Sequence, residues 1–137
     1  MGISVFPAAS AASKTRYVVT LLSGTSWTVP AGCLYVNAEL IGGGAGSFSG
    51  GAGGDGQKIS SSFATIPGAS VAYAIGAGGA QNVSGGNTTM TGATTASGGS
   101  SAGVSTPGNE HNGGIPSVAA GADHSGAQGK IDIEYWV

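Results

Sequence analysis

Apolar and polar positions alternate in several short stretches of this chain, and no window repeats apolar residues at the three-to-four spacing of an amphipathic helix. In Leu34-Tyr35-Val36-Asn37-Ala38-Glu39-Leu40-Ile41, the residues Leu34, Val36, Ala38 and Leu40 fall on one side and Tyr35, Asn37, Glu39 and Ile41 on the other. A period of two predicts a strand. Residues 14–22 alternate and are β-branched at Val18, Val19 and Thr20; Ser23-Gly24-Thr25 supplies a tight turn, and Ser26-Trp27-Thr28-Val29 resumes extended structure, which predicts a hairpin. Pro30-Ala31-Gly32 is a second turn before the 33–41 strand. Residues 57–66 read as a strand closed by Pro67-Gly68-Ala69, with 70–75 as its hairpin partner. Residues 87–91 and 93–97, split by Gly92, read as one short hairpin, and 130–137 as a final alternating strand paired in the sheet. The strand aromatics Trp27, Tyr35, Tyr73, Tyr135 and Trp136 read as core or subunit-interface packing.

Between these stretches the side chains nearly vanish. Residues 42–56 contain nine glycines in fifteen positions, without the every-third-residue period of collagen. Further small-residue blocks occupy 76–79, 98–105 and 113–129. A structureless loop that long is uncommon in a compact domain. The alternative is a set of extended, three-residue-per-turn rods of the polyglycine II type, packed side by side because no Cβ holds them apart. Ordering each glycine costs roughly 1 to 2 kcal/mol, so only a lattice that pairs nearly every N–H and C=O can offset it.

Composition narrows the class. The 137 residues read as one domain, 14–137, preceded by an Ala/Ser-rich arm at 1–13 whose Phe6 offers one apolar group for docking on a neighbour. Two Trp, four Tyr and three Phe argue against disorder despite 28 glycines. Four basic and six acidic residues give no cluster of either sign, so neither nucleic acid nor an anionic membrane is an expected partner. No apolar run suggests membrane insertion and no signal peptide is read. Cys33, the one cysteine, reads as a small buried apolar residue. The expected fold is all-β: a small sandwich of short antiparallel strands with packed polyglycine II-type segments.

Four features form an ordered set: Gly24-Thr-Ser-Trp-Thr-Val-Pro-Ala-Gly32 leading through an apolar strand to Gly42-Gly-Gly-Ala-Gly46; Ile66-Pro-Gly68; Val71-Ala-Tyr-Ala-Ile-Gly-Ala-Gly-Gly79; and the terminal Gly129-Lys-Ile-Asp-Ile-Glu-Tyr-Trp136. Over about residues 15–137 the chain resembles the glycine-rich domain at the ends of bacteriophage tail fibres and tail-tip proteins. The resemblance implies a virion protein exposed at the tail, made in the host cytoplasm. It also implies non-enzymatic binding to a host-surface glycan or outer-membrane protein, contact with other tail proteins, and a homotrimer. A purely structural virion component (decoration, collar or attachment subunit) is the alternative, and a bacterial glycan-binding module a third. The chain departs from the family in carrying almost nothing before the domain.

The candidate binding residues are those that interrupt the glycine lattice: Phe48, Gln81, Asn82, Asn109, Glu110, His111, Asn112, Asp123 and His124. Loops on a rigid scaffold are the usual seat of recognition. Glu110 with His111 and Asp123 with His124 have metal-ligand chemistry, but adjacent side chains point apart, and the reading is hydrogen-bonding groups on exposed loops rather than a metal site. Gly51-Ala-Gly-Gly-Asp-Gly56 matches a dinucleotide fingerprint by letter, yet a strand is expected after it where a helix is required. No nucleophile elbow precedes a helix, so no catalytic residues and no cofactor are expected.

Overall fold

The computed structural model describes residues 13–47, 53–100 and 125–137. They form seven strands: β1 (Arg16–Leu21), β2 (Ser26–Thr28), β3 (Tyr35–Ile41), β4 (Lys58–Ala64), β5 (Ser70–Ala74), β6 (Thr89–Met90) and β7 (Lys130–Trp136). No helix occurs among the described residues. Four strands make one antiparallel sheet in the order β1-β7-β3-β4, and three make another in the order β2-β5-β6. The fold is all-β, a small sandwich.

The alternation read in the sequence is what builds the core. Val36, Ala38, Leu40, Ile131 and Ile133 point inward from the two central strands of the larger sheet and meet Tyr73 and Met90 from the smaller one. Leu40, Ile131 and Ile133 are completely buried, and each contributes on the order of 1.5 to 3 kcal/mol by leaving water. Tyr135 stacks on Tyr17 with ring centroids 5.4 Å apart, and Trp27 tilts against it at 5.8 Å. Cys33 is buried and unpaired, as its apolar setting suggested.

Strand pairing departs from the expected hairpins. β1 pairs with β7, and β2 pairs with β5 in the other sheet, so the turn at 23–25 carries the chain across the sandwich. The 67–69 turn does the same, since β4 pairs with β3 while β5 lies between β2 and β6. Alternation assigns faces, but partners are chosen by the tertiary fold. The first crossing is fixed by Tyr73, whose hydroxyl donates to the Ser23 carbonyl at 2.7 Å and fills the space beside Gly24, where φ is +99°. The expected hairpin of 87–97 is reduced to β6 and a Thr88–Ala96 bridge around the Gly92 turn.

Candidate functional site at the far end of a glycine bundle

The glycine blocks are three excursions from the sandwich. Each leaves as an extended rod and returns as another: 42–47 out of β3 and 53–57 back into β4; 76–80 out of β5 and 83–86 back toward β6; 97–100 out, and 125–129 back into β7. Rod 42–47 is buried along its whole length and stands at the centre. Its N–H groups of Gly42 and Ala45 donate to Gln57 and Gly54, those of Gly43 and Gly46 to Gly86 and Val83, and that of Gly44 to Ala127. The partner repeats every third residue, the period of a polyglycine II helix. Gly79 and Gly99 donate back to the carbonyls of Gly44 and Gly43, so five described rods occupy five places of a hexagon around 42–47.

Neighbouring outer rods are bonded to one another as well. Gly86 donates to Ala77, Gly85 to Gly99, Gly54 to Ser100, Gln57 to Ser97, and Gly126 to Gly79, all between 2.8 and 3.0 Å. A Cβ at Gly43, Gly46, Gly85, Gly98 or Gly126 would overlap a carbonyl of the adjoining rod. Glycine is needed there for close approach. At the sheet end the bundle is pinned by Thr88, fully buried, whose Oγ1 donates to the Ile41 carbonyl at 2.7 Å and accepts the Gly76 N–H at 2.9 Å.

The middle excursion turns back at the end of the bundle away from the sheet. Five residues at roughly 3.1 Å each set that end about 15 Å beyond the strands. Gln81 and Asn82 form the middle turn there, both exposed. Asn82 has φ of 61° and donates its N–H to the Ser47 carbonyl at 2.8 Å, while Val83 N–H closes the turn on Ala80. Ser47 and Gly53 flank one further connection at this end, and Ser100 and Ser125 the other. Phe48, Asn109, Glu110, His111, Asn112, Asp123 and His124 belong to these two connections by sequence and lie outside the described residues, as does Phe6. No cluster of metal-ligating side chains occurs among the described residues.

A second concentration of polar chemistry escaped the sequence reading. Arg16, Glu39, Lys58, Lys130, Asp132 and Glu134 sit at alternate positions of the four paired strands and so share the outer face of the larger sheet. They are six of the ten charged residues in the chain. Arg16 pairs with Glu134, Lys58 with Glu39 at 3.2 Å and Lys130 with Asp132 at 2.8 Å. Asn37 bridges Ser62 and Glu134. Arg16, Asn37, Glu39, Ser62, Asp132 and Glu134 line a shallow groove of about 430 Å³. Partial burial pushes the Asp132 carboxyl up, but hydrogen bonds from Lys130 and Thr20 and the charges of Lys130 and Lys58 outweigh it, leaving its pKa below the ordinary value. The Arg16 guanidinium, with the Asn37 amide, holds Glu134 low as well. Tyr35 and Trp136, expected in the core or at a subunit interface, lie on this outer face by register rather than in the core, with Tyr35 half exposed.

The glycine pattern that builds the bundle is also what places the chain among known proteins, for residues 20–133 match the profile described as a glycine-rich domain. The chain belongs to the glycine-rich domain family. A comparison with curated proteins gives no match. In this glycine-rich domain the matched region takes in β2 to β6, all six rods and most of β7.

Proposed function

We propose that this glycine-rich domain is a receptor-binding protein of a bacteriophage tail, recognising a host-surface glycan or outer-membrane protein without enzymatic activity. The observation that carries the reading is that the described rods of all three excursions run to one end of the bundle, where Gln81 and Asn82 make an exposed turn. Side-chain-free rods spend their sequence on a stiff support, and Gln81 and Asn82, which interrupt the glycine pattern, fall at its tip. Preorganised loops lose little conformational freedom on binding. The opposite end suits attachment: it exposes Leu34 and Ile66. Thr15 and Val137 also meet there through paired backbone bonds. On this reading the protein resides in the virion, contacts other tail proteins at its base and assembles as a homotrimer.

The test is adsorption of purified protein to host cells together with its ability to block infection. Saturable adsorption that competes with phage is expected, and it should fall at least tenfold when Asn109, Glu110, His111 and Asn112 are all changed to Gly. Protein that is present in virions yet does not adsorb to cells would replace this reading with a structural role. Sedimentation equilibrium checks the trimer.

A further inference from the structure

We infer that the outer face of the four-stranded sheet is a second recognition site, a shallow groove for a neutral saccharide. This rests on the host-recognition reading and adds to the bundle tip a separate surface with its own ligand class. Three observations meet there. The first is the distribution of charge. This protein solvates the rest of its surface largely with Ser, Thr, Asn, Gln and bare backbone, so the charged residues gathered on one sheet face are not needed for solubility. The register even sets Glu39 opposite Asp132, a like-charge pair that works against sheet stability.

The second observation is that each carboxylate is held in place. Glu134, Asp132 and Glu39 are each paired with a cation, and Asn37 is fixed between Ser62 and Glu134. An ionised carboxylate accepts several hydrogen bonds at once, and a paired one retains unused lone pairs. Preoriented carboxylates beside an amide and the Ser60 and Ser62 hydroxyls complement the adjacent hydroxyls of a pyranose ring. Three cations against three anions on this face favour an uncharged ligand over a polyanion.

The third observation is aromatic. By register Trp136 faces Arg16 and Tyr35 faces Ala64, each one row beyond the Glu134 and Asn37 that line the groove. Tyr35 is 50% exposed. An aromatic ring beside a line of acceptors matches a sugar, whose C–H face is apolar and whose rim is polar. The groove also falls within the roughly 300 to 1,000 Å³ of small-ligand sites.

The experiment is a titration of isotope-labelled protein with glucose, galactose, mannose and N-acetylglucosamine and their disaccharides, monitored by amide chemical shifts. Saturable shifts confined to residues 35–39, 60–62 and 132–136, with roughly millimolar affinity, are expected for at least one sugar. Trp136→Ala should weaken that binding at least tenfold. Ser60→Arg, which blocks the groove from an exposed position without touching the core, should abolish it while thermal unfolding is unchanged. Absence of saturable shifts with every sugar, or shifts that map elsewhere, overturns the inference. So does sugar binding that survives Ser60→Arg. Cell adsorption of the unaltered protein, measured beside its sugar titration, separates the two readings. Adsorption without sugar binding leaves the tip-centred function standing and removes the groove, whereas a failure of the unaltered protein to adsorb removes the receptor function itself.

Discussion

At Gly43 a single methyl group has nowhere to go, because it would overlap the carbonyl oxygens of Gly76 and Ala77 on the adjoining rod. Those atoms are backbone tied into the lattice and cannot swing aside. Gly43→Ala is therefore expected to cost about 3 kcal/mol, the upper part of the usual overpacking range. That lowers the thermal midpoint by roughly 6 to 10 °C for a domain of this size. Gly68→Ala makes the comparison: its φ is +80° with open space around it, so only backbone strain of about 1 kcal/mol is involved. Circular dichroism melts of the two variants should differ by at least twofold in shift. Thr88→Val keeps shape and removes a hydroxyl, which orphans the Gly76 N–H and deprives the Ile41 carbonyl of its donor. A loss of about 1 to 3 kcal/mol in chemical denaturation is expected. The need for glycine was legible in the chain. Thr88 was not, because nothing in its neighbours Asn87 and Thr89 distinguishes a buried hydroxyl that pins two strands of backbone from a solvated one.

The outer face of the larger sheet is where electrostatics enters stability. Asp132 and Glu134 both have folded-state pKa values below their ordinary ones. Depressed carboxylates add stability that is fully present above the unfolded values of about 3.9 and 4.3 and is lost as pH falls through the lower folded values. The melting temperature should thus be level from pH 7 to about pH 5 and decline below about pH 4. The double variant Asp132→Asn with Glu134→Gln should start lower at pH 7 and decline less. An equal slope in both proteins would assign the acid sensitivity elsewhere. The existence and faces of β1, β3, β4, β5 and β7 could be read from alternation, whereas their partners could not. Ser23-Gly24-Thr25 and Pro67-Gly68-Ala69 have the chemistry of hairpin turns, yet each crosses between sheets. The charged face was hidden for the same reason. Lys130 and Lys58 lie 72 positions apart in the numbering, and only register brings both alongside Ile41.

For the molecule as a whole, the rods convert a sequence that looks featureless into a column with two different ends. The glycine count alone suggested either disorder or a lattice, and the length of the 42–56 block favoured three-residue-per-turn rods, but which rod lies beside which is the feature that no local pattern could supply. Its consequence is calorimetric. Ordinary domains unfold with a large positive heat capacity because they expose hydrocarbon, while newly wetted peptide groups contribute with the opposite sign. Rod 42–47 is an interior made almost wholly of peptide groups. Scanning calorimetry should therefore give a value per residue clearly below the usual 12 to 15 cal/mol/K. The curve of stability against temperature is then shallow, and the protein holds nearly the same margin against unfolding in the cold as in the warmth.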